Sequence, residues 1–147
     1  MFKTKYLAYF IALVMVVATA LLIERKPQIM ITDQELNFSN IALKNSPITD
    51  EGKIEWWKEN QKLVKDKFNI PLPAKNGDWY INVWDYGDGF KAKPKGDLRI
   101  LSSETQDMMC FNNDNSKCIS KDLLMRIENN RDGSTSLEIG DKKTNIK

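Results

Sequence analysis

The chain begins with an unbroken apolar run and continues as a polar chain in which short apolar stretches recur. The run, residues 6–23, comprises 18 residues and contains no charge, no glycine and no proline. A helix of that length spans roughly 27 Å, close to the thickness of the hydrocarbon core of a bilayer. A soluble helix of this length would need a polar face, which the run lacks. The pattern therefore predicts a transmembrane anchor that contacts the lipid bilayer through residues 6–23.

Two other interpretations of this run stay open. Ala18-Thr19-Ala20 has the small-x-small form of a signal-peptide cleavage site, so cleavage near Ala20 would release the rest of the chain. A buried helix of a soluble protein is the third interpretation, which the length of the run disfavours. Lys3 and Lys5 precede the run, and the positive-inside rule therefore predicts a cytoplasmic N-terminus. An anchor and a cleaved signal both place the remainder outside the cytoplasm.

The polarity pattern divides the chain into an N-terminal tail with its anchor, residues 1–26, and one domain, residues 27–147. The second part has 121 residues, with 18 basic and 19 acidic side chains. Its length suits one domain, and its near-neutral charge predicts no nucleic-acid partner. The local basic run is interpreted as a solvated loop and edge strand rather than an anion site. It consists of Lys91, Lys93, Lys95 and Arg99.

One stretch of the domain has the period of an amphipathic helix. Thr49 or Asp50 is suited to cap its start, Asn69 is suited to a left-handed end, and Pro71 prevents continuation. Apolar residues follow spacings of three and four, interrupted by one glutamine, and form one stripe. The stripe comprises Ile54, Trp57, Gln61, Val64 and Phe68. Trp57 is interpreted as a core residue, whereas Trp56 lies off the stripe.

Residues 78–86 alternate in a pattern typical of a strand that is apolar on both faces. One face would carry Trp79, Ile81 and Val83, and the other Tyr80, Asn82, Trp84 and Tyr86. Such a strand is usually central in its sheet, with one face under the helix and the other partly covered. The following Gly-Asp-Gly predicts a turn, after which Phe90 is expected to begin a return strand.

Shorter stretches predict the remaining strands. They are residues 28–33, 38–43, 97–101, 108–111, 117–120, 123–127 and 134–139. The first two predict a hairpin, as do the last two, whereas the polar residues 140–147 are expected to be frayed. The expected fold class is α+β: one N-terminal transmembrane helix followed by a small antiparallel sheet packed on one amphipathic helix.

The two cysteines, Cys110 and Cys118, have seven residues between them and no other intrachain partner. In an oxidising compartment a disulfide between them is the expected state. A free pair and a redox site are the alternatives, although a redox site usually has the C-x-x-C spacing that is absent here.

The strand at 78–86 and its turn supply the candidate partner-binding residues. Tyr80, Trp84 and Tyr86 form either an exposed aromatic patch for a partner or a sugar, or side chains that pack in the core or under a loop. Asp85 and Asp88 resemble part of a calcium loop, but calcium needs six or more oxygen ligands, and acids at a turn are ordinarily solvated.

Catalytic chemistry finds little support in the composition. The chain contains no histidine, so Ser-His and Cys-His nucleophile pairs and histidine-based metal sites are excluded. No glycine-rich phosphate loop is present. We therefore expect no catalytic residue, no metal and no cofactor. A hydrolase that uses carboxylates alone, such as Asp85 and Asp88, is the enzyme alternative.

Five stretches carry a family resemblance. They are KNSPITDEGKIEWW at 44–57, FNIP at 68–71, VWDYGDGF at 83–90, CF at 110–111 and CI at 118–119. These stretches resemble the enterobacterial putative membrane proteins grouped as domain of unknown function 943. The resemblance covers roughly residues 29–139, with Phe90 where tyrosine is the more usual residue. It implies a single-pass membrane protein of Gram-negative bacteria and brings no established activity.

The leading hypothesis is a membrane-tethered interaction module. The anchor would hold a disulfide-closed domain in the periplasm, where it binds an unknown periplasmic or envelope protein. An immunity-type protein that blocks an incoming toxin is one version, and an accessory of an envelope complex is another. A flat face would favour binding, whereas an aromatic cleft with two close acids would favour the hydrolase.

Overall fold

The computed structural model describes residues 2–23, 25–92 and 108–146. The elements within these ranges are α1 (Phe2–Ile23), β1 (Gln28–Glu35), β2 (Phe38–Lys44), α2 (Asp50–Phe68), β3 (Tyr80–Asp85), β4 (Met108–Cys110), β5 (Cys118–Ser120), β6 (Leu123–Asn129), β7 (Thr135–Ile139) and β8 (Lys142–Ile146). The predicted strand at 97–101 lies outside the described residues, as do three members of the basic run, Lys93, Lys95 and Arg99.

Six of the strands form one sheet in the order β1-β2-β3-β6-β7-β8, and β4 and β5 form a separate hairpin. Four of the five neighbouring pairs in the large sheet are antiparallel, which confirms the α+β fold class. The exception is the parallel pair β2–β3. This pair is parallel because α2 lies between its strands and returns the chain to the end of the sheet where β2 begins.

The ends of α2 follow the capping signals in its sequence. The Thr49 side chain accepts a hydrogen bond from the Gly52 N–H at 3.0 Å, which satisfies one of the free donors of the first turn. Asn69 ends the helix in the left-handed conformation, at φ 57° and ψ 39°. Both features confirm the predicted bounds of the helix.

α2 covers one face of the sheet and forms the main core with it. Trp57 and Val64 of the predicted stripe are buried, whereas Gln61 is exposed. Trp56 is also buried, so the buried face of the helix is broader than the stripe. These side chains pack on the apolar residues of the central strands, which are Ile41, Leu43, Ile81, Val83, Met125, Ile127 and Leu137. The core placement of Trp57 is confirmed.

The opposite face of the sheet is covered at one end by the β4–β5 hairpin. Cys110 and Cys118 are joined by a disulfide, which confirms the predicted pair. Phe111 and Ile119 of the hairpin are buried against Ala42 of β2. The neighbouring side chains in this second cluster are Ile31, Trp84, Tyr86 and Met109. β3 is therefore a central strand with apolar contacts on both faces, as its alternation predicts.

Two predictions are wrong: the return strand that begins at Phe90 and the frayed C-terminal segment. Phe90 lies outside any strand, and Lys91 forms only an isolated bridge to Cys118, because β3 already has β2 and β6 as its two neighbours. The polar C-terminal segment is not frayed, since Lys142–Ile146 pairs with β7 as β8. A two-residue turn joins the pair, and its Gly140 adopts φ 58°, a conformation that glycine reaches at little cost.

Replacing Cys110 and Cys118 together by alanine is expected to lower the free energy of unfolding by about 2–3 kcal/mol. The reason is that the disulfide ring restricts the unfolded chain. Thermal or urea unfolding of the full chain in detergent measures the change. Ser120→Ala, an exposed change in the same hairpin, is the control and should shift stability by less than about 0.5 kcal/mol. Equal stability of the two variants would contradict the role given to the disulfide.

Candidate interaction surface

The aromatic candidates of β3 divide between covered and open positions. Trp84 and Tyr86 pack in the cluster beneath the β4–β5 hairpin, and the Trp84 indole N–H donates to the Asn40 side-chain oxygen at 3.0 Å. Tyr80 lies on the same face at the other end of the strand, beyond that cluster. The structure therefore does not bring the three aromatic residues together as one patch.

The part of this face beyond the hairpin centres on Tyr80. Its ring stacks on Phe38 of β2, with centroids 5.3 Å apart and an interplanar angle of 8°. The Arg126 guanidinium carbon lies 4.2 Å from the centroid of the Tyr80 ring, a cation–π contact from β6. All three residues are half-buried. We call the half-buried side chains here the open half of the sheet; they are Phe38, Tyr80, Asn82, Arg126 and Glu128.

Charged groups border this aromatic stack. The Lys143 ammonium donates to a Glu128 carboxylate oxygen at 2.8 Å, and Glu128 raises the pKa of Lys143 by this hydrogen bond and by its charge. Arg126 Nε is 4.0 Å from the other Glu128 oxygen, too long for a hydrogen bond. This Nε is buried and has no hydrogen-bond acceptor among the described residues. The Arg126 side chain as a whole is 40% exposed, so the open half presents part of this arginine to solvent.

The turn between β1 and β2 places an apolar side chain beside this surface. Glu35 pairs with Phe38, which leaves Leu36 and Asn37 as a two-residue turn. Leu36 adopts φ 55° and is 82% exposed. A left-handed conformation costs an ordinary L-residue roughly 1–2 kcal/mol, and here no burial offsets it. Leu36 went unnoticed in the sequence, because an isolated leucine in a polar turn carries no local signal.

The acidic candidates lie at the opposite end of β3. Asp85 and Asp88 line a small hollow of about 140 Å³ together with Asp122 and Lys91. An Asp85 carboxylate oxygen accepts from the Gly87 N–H at 3.3 Å, which is an ordinary turn contact. Within the described ranges, no group of three or more His, Cys, Asp or Glu side chains is placed to hold a metal ion.

The family described as enterobacterial putative membrane protein (DUF943) matches residues 2–147. The chain belongs to this family. No curated protein sequence and no solved structure matches the chain. In this DUF943 protein the described residues contain one helix that is long and apolar enough to cross a membrane, over Lys3–Leu21, with a mean hydropathy of 1.8. None of that window is buried against the rest of the chain.

The left-handed conformation of Leu36 is expected to lower the free energy of unfolding. Leu36→Gly should raise the free energy of unfolding by up to about 1 kcal/mol, because glycine relieves the left-handed strain at some cost in unfolded-state entropy. Leu36→Ala keeps the strain and should stay within about 0.5 kcal/mol of the wild type. Thermal unfolding of the full chain in detergent compares the three proteins. A large loss of stability in Leu36→Ala would mean that the leucine packs against the fold.

Proposed function

We propose that this protein is a single-pass inner-membrane protein whose domain, residues 27–147, lies in the periplasm. The N-terminal tail with Lys3 and Lys5 would stay in the cytoplasm, as the positive-inside rule favours. The unburied apolar helix α1 supports the anchor. The disulfide between Cys110 and Cys118 supports an oxidising compartment for the domain, because such bonds persist there and are rare in the cytosol.

Reporter fusions test this topology. Alkaline phosphatase fused after residue 147 should be active, because it folds only where its own disulfides form, and β-galactosidase at the same position should be inactive. A chain that lacks residues 1–26 is the control and should reverse both results. An N-terminal tag that remains on the membrane-extracted protein would argue against cleavage near Ala20. An inactive phosphatase with an active β-galactosidase would contradict the topology.

We further propose that the domain binds a protein partner through the open half of its sheet and performs no catalysis of its own. The observation that carries this proposal is the half-buried stack of Phe38, Tyr80 and Arg126, in which the Arg126 side chain keeps 40% of its surface exposed. Tyrosine and arginine dominate the energetics of protein interfaces, because they combine large contact areas with directional hydrogen bonds. A carboxylate on the partner could pair with the Arg126 guanidinium, because the side chain is 40% exposed.

The shape of this surface also favours a binding role. It is the face of a sheet, bordered at Arg126 by a hollow of only about 200 Å³, and it lies at the end of β3 opposite Asp85 and Asp88. A protein partner that occupies it could be a toxin that the domain blocks or a component of an envelope complex. Both kinds of partner would contact the same residues, so a crosslinking experiment on this surface would detect either one.

Site-specific photocrosslinking in intact cells tests this surface. A photoreactive residue in place of Asn82, within the open half, should give a discrete adduct, whereas the same residue in place of Lys62 on the exposed side of α2 should not. Arg126→Gln should weaken the adduct at least about tenfold, the effect of losing an interface hot spot. The matched control is Arg131→Gln, an exposed arginine in the β6–β7 turn. Equal adducts with both arginine variants would contradict the proposal.

A further inference from the structure

A groove of about 600 Å³ lies between the segment that follows α1 and the first turns of α2. Its walls include Arg25 and Lys26 on one side and Glu55 and Glu59 of α2 on the other. Trp56, only 5% exposed, also lines it. The groove is separate from the open half of the sheet and from the acidic hollow at Asp85.

With α1 in the bilayer, as proposed above, the short connection to α1 would bring the groove next to the membrane surface. α1 ends at Ile23, and Arg25 follows two residues later, within about 7 Å of chain length. The polar headgroup layer of one leaflet is roughly 5–8 Å thick. Arg25 Nε donates to the Asn45 side-chain oxygen at 3.1 Å, which joins this segment to the end of β2. If α1 spans the bilayer, the basic wall would therefore lie at the depth of lipid headgroups.

The charges of the groove are separated by sign. Arg25 and Lys26 are exposed beside the anchor, and Glu55 and Glu59 are exposed one helical turn apart on α2. Within the described part of the chain, none of these four side chains forms an ion pair. Paired cations suit a phosphate, and paired carboxylates suit an ammonium. An apolar side chain, Ile48, also lines the groove and is 80% exposed.

We infer that this groove binds the headgroup of a zwitterionic phospholipid that carries a primary ammonium. The lipid phosphate contacts Arg25 and Lys26, the ammonium contacts Glu55 and Glu59, and Ile48 packs on the upper part of an acyl chain. An anionic headgroup without an ammonium fits less well, because the two carboxylates repel it. The inference rests on the membrane-spanning part of the proposed function and is independent of the protein partner and of which side of the membrane the domain occupies.

The test uses the full chain in nanodiscs of phosphatidylcholine that contain equal amounts of phosphatidylethanolamine and phosphatidylglycerol. Native mass spectrometry of the released protein counts the lipids that remain bound. The wild type should retain phosphatidylethanolamine over phosphatidylglycerol by about fivefold, the size expected for one exposed charge contact. Glu55→Gln combined with Glu59→Gln should abolish that preference. Arg25→Gln combined with Lys26→Gln should reduce retention of both lipids.

The matched control changes one cation and one acid on α2 outside the groove. Lys62→Gln combined with Asp66→Asn should keep the wild-type ratio of the two lipids. An inserted wild type that shows no preference, or that prefers phosphatidylglycerol, would overturn the inference. So would a preference that survives the paired glutamate changes. A full chain that fails to enter the nanodisc would instead overturn the proposed anchor, and the lipid site with it.

Discussion

A single helix covers only part of one face of a six-stranded sheet, and this geometric limit shapes the whole domain. With its side chains a helix is about 10–12 Å wide, whereas neighbouring strands lie about 4.8 Å apart. α2 therefore covers the central strands on one face, through Trp57 and Val64, and leaves their other face uncovered. That other face of β3 needs a second cover, which the β4–β5 hairpin supplies through Phe111 and Ile119. The disulfide holds a hairpin whose strands are only three residues long.

The size of the hairpin determines the chemistry of the remaining sheet surface. Where the hairpin lies, the facing residues are apolar, such as Ile31 and Ala42. Beyond it, the same strands carry an aromatic pair, Phe38 and Tyr80, with Arg126 above the tyrosine ring. Aromatic and guanidinium groups are compatible both with water and with a buried interface. This surface can therefore stay solvated in the free protein and still gain free energy when a partner covers it. Leu36 in the adjacent turn is exposed and left-handed, a conformation that costs stability.

The two ends of the sheet are suited to different contacts. β2 runs from Phe38 in the open half to Lys44 beside the segment that follows α1, a distance of roughly 20 Å at about 3.3 Å per residue. The groove at the α1 end carries both signs of charge, the combination that the proposed zwitterionic headgroup would need. The aromatic stack lies at the far end, where the proposed protein partner would bind away from the bilayer. Because the connection between α1 and β1 is short, α1 stays close to the end of the sheet where β1 begins.

The sequence by itself determined the features that depend on neighbours along the chain. The apolar helix α1, the caps of α2 at Thr49 and Asn69, the alternation of β3 and the cysteine pair were all predicted, because each rests on contacts or compositions within a few residues. Only the tertiary structure decided which strands lie side by side. β3 pairs with β2 and with a strand some forty residues further on, and the polar segment after Gly140 becomes an edge strand whose own residues carry little apolar signal. Such pairings are decided by competition among long-range contacts, and the open half of the sheet exists only as their result.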